Sequence, residues 1–242
     1  MIKTPPHYNS TDVLSVLRKL ATPERAKSNQ WFFKTQPGQY GYGDKFWGLT
    51  VPQTRLVAKQ FRELPLSEIE ELLRHKIHEV RLCALYLLVA RAKQYPEEVF
   101  NLYVKNLQSI NNWDLVDASA GSIVGNFILV HPNKQKLLDQ LIISKNLWER
   151  RIAMIATFAF IMKSEFQLTF TMAEKLLNDK EDLLHKASGW MLREVGKRGG
   201  EQLLVEFLGK HATKMPRTML RYAIERFPES ERKKWLAVRR TT

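Results

Sequence analysis

The stretch Asn111–Gly125, NNWDLVDASAGSIVG, sets an indole and a carboxylate four positions apart, at Trp113 and Asp117. On a helix beginning near Asn112 the two share one face. A carboxylate so presented can stabilise a cation or polarise a water, and an indole face attracts cations too. The structural alternative pairs Asp117 with Arg151, and the two readings are compatible because an arginine partner keeps the carboxylate ionised. Asp114 falls in the first turn, where it reads as a cap or a complement to the helix dipole. Ala118, Ser119, Ala120 and Gly121 follow and would let a neighbouring backbone come close. Two further tryptophans sit beside charges, Trp148 next to Arg150-Arg151 and Trp190 near His185-Lys186. Each reads equally as core packing or as part of a site. The six histidines show no metal-ligand spacing: His75 and His78 are three apart, but no acid or cysteine completes a site, so no metal is expected.

These residues belong to a longer pattern. Arg81, Asp117, Arg151, Lys186 and Arg217 recur at intervals of 36, 34, 35 and 31 residues, each near the start of an apolar segment. The segments are His78–Ala92, Trp113–Ile128, Trp148–Met162, Leu183–Lys197 and Lys214–Phe227. A period near 35 in helical segments marks stacked helix pairs, a solenoid whose repeats bury their faces against neighbours. Equivalent positions align along one surface, and here the row reads basic, acidic, basic, basic, basic. A cationic row with one carboxylate points to a polyanion on which chemistry is done.

Composition agrees. Lys and Arg number 38 against 25 Asp and Glu, a net charge of +13, which favours nucleic acid or an anionic membrane surface as partner. The 242 residues, 44% hydrophobic, can build a substantial core, and no composition break suggests a linker, so a single domain over 1–242 is expected. Cys83, the one cysteine, excludes a disulfide framework and reads as a small buried hydrophobe. Met1–Ser10 holds two prolines and no apolar run, unlike a secretory signal. The longest apolar stretch, Ile152–Met162, falls short of the roughly 20 residues that span a bilayer. The expectation is a soluble, cytoplasmic, nucleoid-associated monomer with no cofactor and no membrane partner.

Helix punctuation supports about a dozen helices. Thr22-Pro23-Glu24 sets a cap before a proline at the first helical position, and Ser67 with Glu70 has capping-box spacing. Pro96 with Glu97 and Glu98 starts another helix, Pro132 opens one running to Ile143, and Gly199-Gly200 breaks the chain. One segment departs from the pattern: Lys34–Gly48, KTQPGQYGYGDKFWG, carries four of the eleven glycines between aromatic arms. It reads as a short hairpin or ordered loop, either packed back as a cap on the first repeat or serving as a wedge or stacking platform for DNA.

Three motifs in order, NNWDLVD at 111–117, LWERR at 147–151 and KASGWMLRE at 186–194, resemble the HEAT-like-repeat alkylpurine DNA glycosylases of the AlkD-type DNA alkylation repair family. The resemblance spans roughly residues 10–230. It implies an all-α fold, a right-handed α–α superhelix of HEAT-like repeats, with the 34–48 hairpin or loop as an insertion. In that family a Trp and an Asp one turn apart flank the deoxyribose of the damaged nucleotide, and Trp113 and Asp117 match them. The family's arginine on the next repeat matches Arg151, and its second sugar-facing tryptophan matches Trp190. The resemblance further implies that the base need not be flipped into a deep pocket, and none is evident in the sequence.

The activity so implied is hydrolysis of the N-glycosidic bond of N3- or N7-alkylated purines in duplex DNA, through an oxocarbenium-like transition state at the sugar. Arg81, Arg150, Lys186 and Arg217, with Tyr40, Tyr42 and Lys45 of the insertion, are the expected DNA contacts. The insertion also resembles a hairpin carried by relatives that bind branched DNA without glycosylase activity. Those relatives lack the catalytic residues, all four of which this chain keeps. A non-catalytic binder of branched DNA is therefore the alternative. A protein-binding HEAT scaffold is a second, disfavoured by the one-signed row.

Overall fold

The computed structural model describes residues 8–239. Regular structure among them is helical throughout, apart from an isolated parallel bridge between Lys45 and Ile77. Met1–His7, most of the stretch read as lacking a signal, lies outside the described residues. The chain divides into two compact units, Met1–Ser119 and Ala120–Thr242.

The first unit contains α1 (Ser10–Lys19), α2 (Pro23–Phe32), α3 (Val51–Gln60), α4 (Leu66–Leu73), α5 (His78–Arg91), α6 (Pro96–Lys105) and α7 (Trp113–Asp117). Their starts follow local chemistry. Asn9 with Asp12 and Thr50 with Gln53 form reciprocal capping boxes. Thr22 precedes Pro23 at the first position of α2, as the sequence predicts. The box expected at Ser67 does not form. Pro65, with its φ already helical, starts α4 at Leu66, which leaves Ser67 inside the first turn. Glu70 pairs instead with Arg74 and Lys105 and accepts from Asn106. The core is built on α5, buried from His78 to Leu85 and again at Leu87 and Leu88, against α3 and α4. Cys83 lies in this core, as expected, its thiol pushed up to about 12 by burial.

The insertion is an ordered loop without strands. Gly41 N–H donates to the Lys34 carbonyl at 3.0 Å, and further turns run from Gln36 to Asp44. Gly48 has φ +87°, and a Cβ there would run into the Thr22 carbonyl and the Ala26 amide. Only glycine lets the loop's exit lie against the start of α2.

In the second unit a π-helical segment, Gly121–Gly125, leads into α8 (Asn126–Val130), followed by α9 (Lys136–Leu141), α10 (Leu147–Ala156), α11 (Phe158–Ile161), α12 (Gln167–Lys175), α13 (Asp182–Gly199), α14 (Glu201–His211), α15 (Arg217–Ala223) and α16 (Glu229–Ala237). The continuous helix expected over Trp113–Ile128 is thus interrupted after Asp117. Close approach is made at Gly125 rather than Gly121: a Cβ at Gly125 would strike the Ala156 carbonyl and lie 2.8 Å from the Ala159 Cβ. Gly189 similarly admits the Met219 carbonyl, so α13 lies tightly on α15. Gly200, at φ +100°, separates α13 from α14 as predicted. Pro132 opens a short 3₁₀ turn, with α9 ending at Leu141. Trp113–Val130, 18 residues of mean hydropathy 1.2, is long and apolar enough by length and composition to cross a membrane, but half of it is buried inside the protein.

Candidate functional site

In the first unit α2, α3, α5, α7 and the end of the insertion enclose a cleft of about 550 Å³. Trp113, Asp114 and Asp117 all line it, so the face predicted for Trp113 and Asp117 looks into a concavity. Asn112, fully buried, starts α7 by accepting the Trp113 amide at 2.9 Å. At the far end of α7, Ser119 donates to the Leu115 carbonyl and meets the buried Tyr103 hydroxyl at 3.1 Å. Trp113 stacks on Phe33, with centroids 5.5 Å apart, and takes the edge of Phe32 at 5.9 Å.

Behind this wall lies a buried ionic cluster. His78 opens α5 with its side chain 1% exposed, and its two ring nitrogens each lie 2.8 Å from a carboxylate: Nδ1 from Asp44 Oδ2 and Nε2 from Asp114 Oδ2. Burial alone would depress the imidazole, but the charge and hydrogen bond of Asp114, with those of Asp44, raise it to about 9. Both nitrogens therefore donate, as an imidazolium does. Phe33 and Phe46 lie against the ring at 4.8 and 4.6 Å, which suits a cation. Burial also acts to raise the Asp44 carboxyl, yet the His78 hydrogen bond and the Arg81 charge outweigh it and hold that carboxyl below the usual 3.8. Arg81 Nη2 reaches Asp44 Oδ1 at 2.5 Å and Asn111 Oδ1 at 2.9 Å, and Nη1 reaches the His75 carbonyl at 3.0 Å. Next to His78, Glu79 accepts the Trp47, Gly48 and Leu49 amides at 2.9–3.2 Å. The start of α5 thus clamps the insertion on one side and Asp114 on the other.

Two expectations change here. Asn112, not Asp114, caps α7, and Asp114 is the counter-ion of His78. Arg81, expected to contact DNA, is 5% exposed and bonded to Asp44, Asn111 and a carbonyl, which makes it an internal tie. Both imidazole nitrogens of the cluster are engaged by carboxylates.

The remaining candidates have identifiable neighbours. Arg150 pairs with Asp179 at 2.8 Å and donates to the Ser144 carbonyl. Arg151, 5% exposed, donates to the Leu183 carbonyl. Lys186 meets Asp182 at 2.8 Å, and Trp190, half-buried, lies 6.5 Å from Phe158. Arg217 donates to the Leu236 and Val238 carbonyls. In the insertion Tyr42 is 66% exposed, Lys45 is exposed, and Tyr40 is half-buried with its hydroxyl 3.5 Å from the Phe32 carbonyl. Trp31, just before the insertion, is 73% exposed, with the Lys34 ammonium over its ring at 4.7 Å.

A helical architecture with these motifs has known counterparts. The model of the family described as DNA alkylation repair enzyme matches residues 13–227. The chain belongs to that family. Its fold is similar to that of a predicted DNA alkylation repair enzyme from Enterococcus faecalis, at 21% identity and TM-score 0.71, covering 86% of this chain and 97% of the other. It is also similar to AlkD2 from Streptococcus mutans, at 16% identity and TM-score 0.53, covering 91% of this chain and all of that one. No curated protein gives a significant match. Membership in the DNA alkylation repair family carries a DNA-repair role and makes DNA the partner, consistent with the +13 charge.

The sequence reading missed His78 and its pairing with both Asp44 and Asp114, yet a signal was present. His78 precedes Asp114 by 36 positions, the same step that separates Arg81 from Asp117.

Proposed function

We propose that this protein is a monofunctional glycosylase, active on chromosomal DNA in the cytoplasm, that hydrolyses the N-glycosidic bond of cationic N3- and N7-alkylated purines in duplex DNA. The observation that carries this reading is the convergence of Trp113 and Asp117 on one cleft within a DNA alkylation repair protein. An alkylated purine already bears positive charge, so no acid is needed for departure. The C1′–N bond breaks with its electron pair passing to the base, which leaves neutral, and C1′ becomes cationic. The Asp117 carboxylate stabilises that cation and orients the water whose oxygen adds to C1′. The proton of that water passes to solvent. The Trp113 face adds a cation–π contact. The family resemblance assigns a second sugar-facing indole to Trp190 and an arginine to Arg151. Exposed cations, not the buried Arg81, supply the phosphate contacts.

Release of 7-methylguanine from methylated duplex DNA tests the reading. Asp117→Asn keeps size and hydrogen bonding but removes the charge, and excision is expected to fall by about 10²–10³, the loss typical of one electrostatic stabiliser. Excision at the parent rate would reduce Asp117 to a structural role. The exposed Tyr42 and Trp31 favour a second reading, a binder of branched DNA. A parent protein that excises nothing but binds junctions tightly would establish it.

A further inference from the structure

Helix α7 is five residues long, and so short a helix has little stability of its own. Its direction is set by what holds it from outside. Asn112 accepts its first amide, and the contact of Ser119 with Tyr103 follows its last turn. Between these, Asp114 is bonded at 2.8 Å to His78, 36 residues earlier. His78 reaches α7 by a second route as well. Its ring lies 4.8 Å from Phe33, and Phe33 stacks on Trp113 at 5.5 Å. Phe46 completes the pile, stacked on both Phe33 and His78. One imidazole thus meets Trp113 through an aromatic ring and the next residue, Asp114, through a carboxylate. A neutral imidazole has a single N–H, so it can donate to Asp44 or to Asp114 but not to both. Loss of the proton sets a ring lone pair against a largely buried carboxylate 2.8 Å away, which favours their separation.

We propose that His78 is a positioning residue for excision: its imidazolium, bridging Asp44 and Asp114, holds α7 so that Trp113 and Asp117 are presented together to the cleft. The inference rests on the glycosylase reading for the reaction it serves. It goes further by giving a role to a side chain that is 1% exposed and acts only through its neighbours. Burial opposes the charge on His78, but Asp114 and Asp44 raise the imidazole to about 9. The groups around it come from several elements. Asp44 belongs to the insertion, Asp114 and Asp117 to α7, and Arg81 to the next turn of α5. Glu79 is occupied by backbone amides. His75, just before α5, is lowered by burial and is neutral at alkaline pH. From α2 and α3, Arg25 and Arg55 line the cleft, with Arg55 over Tyr86, whose phenol is pushed up by burial. Among these groups His78 is the one that loses its charge as pH rises through about 9.

The test follows single-turnover release of 3-methyladenine from methylated duplex DNA between pH 6 and 10, with spontaneous depurination subtracted. Over the same range nuclear magnetic resonance follows the indole N–H signal of Trp113 in the full-length protein, assigned with Trp113→Phe. In the parent, rate and signal are expected to change together with a midpoint near 9. His78→Gln keeps a hydrogen-bonding amide but has no charge to lose. Its excision rate at neutral pH should fall about tenfold or more, with DNA affinity within about twofold and no alkaline limb. Asp114→Asn removes one of the two counter-charges, so both midpoints should move down by about one pH unit. If His78→Gln does not fold, the parent and Asp114→Asn decide. A folded His78→Gln that excises at the parent rate, a parental Trp113 signal unmoved through pH 9, or midpoints unchanged in Asp114→Asn would overturn the proposal. Any of these with excision intact in the parent leaves the glycosylase reading standing. A parent that excises nothing, while its Trp113 signal titrates near 9 and lower in Asp114→Asn, would refute the glycosylase reading and uphold the positioning of Trp113 by His78.

Discussion

Arg81 in the first unit and Arg151 in the second are each 5% exposed, each lies in the first turns of a helix, and each reaches from that helix start to a distant part of the chain. Arg81 is bound to the Asp44 carboxylate, within a cluster that also holds His78 and Asp114. Arg151 donates to the Leu183 carbonyl, and farther along Arg217 donates to the Leu236 and Val238 carbonyls. In the first unit buried positive charge is met by buried negative charge. In the second, Arg150 pairs with Asp179, and the guanidinium groups of Arg151 and Arg217 tie a helix start to backbone some 19–32 residues on. A periodic row of cations therefore need not be a row of phosphate contacts. Part of it is the means by which one repeat holds the next.

The comparison can be broken most sharply in the first unit. His78→Ala leaves the largely buried Asp114 carboxylate without its counter-ion and Asp44 with Arg81 alone, and a loss of about 3–5 kcal/mol in unfolding free energy is expected, measured by urea denaturation. A loss under about 1 kcal/mol would show that the cluster is better solvated than its burial implies.

The same cluster gives a pH signature. His78 has its folded value raised to about 9 from an ordinary 6.5, so its contribution to stability is complete below pH 6.5 and disappears as pH rises through 9. Asp44, held below 3.8, contributes fully above pH 3.8 and loses its contribution as pH falls through its lowered folded value. Thermal melts from pH 6 to 10 should fall on the alkaline side in the parent and stay flatter in His78→Gln.

In the second unit the test is one of shape. Gly125→Ala places a methyl against the Ala156 carbonyl and should destabilise by about 1–3 kcal/mol, with little dependence on pH. The smallest effect belongs to a surface tie. Asp139→Asn removes the 2.9 Å pair with Lys175, both partners more than a third exposed, and should cost about 0.2–1 kcal/mol, diminishing with salt.

How much was legible in the sequence divides along the same line. Apolar periodicity near 35 residues, Pro23, Pro96 and Gly200 located the helices, because local chemistry fixes those starts and stops. The shared face of Trp113 and Asp117 was legible because four positions make one helical turn. The role of Asp114 was not: a carboxylate in a first turn looks the same whether it serves its own helix or a histidine 36 residues earlier. The start of α4 was misjudged because Pro65 outcompetes Ser67 for the first turn. The break after Asp117 escaped notice because Ala118 to Gly121 read as small packing residues, and nothing local marks the π turn.

The clamp made by Glu79 has a consequence for how this fold can vary. Three amides at the end of the insertion converge on one carboxylate, and the Gly41-to-Lys34 bond closes the earlier part of the loop upon itself. The Gln36–Gln39 tip is thus an interchangeable cassette, bounded by fastenings that belong to the scaffold. Its length and composition can drift, or be replaced by a grafted peptide, while the cleft floor keeps its shape. A protein so built can change its surface at the tip without disturbing the three amide hydrogen bonds that hold the loop's exit.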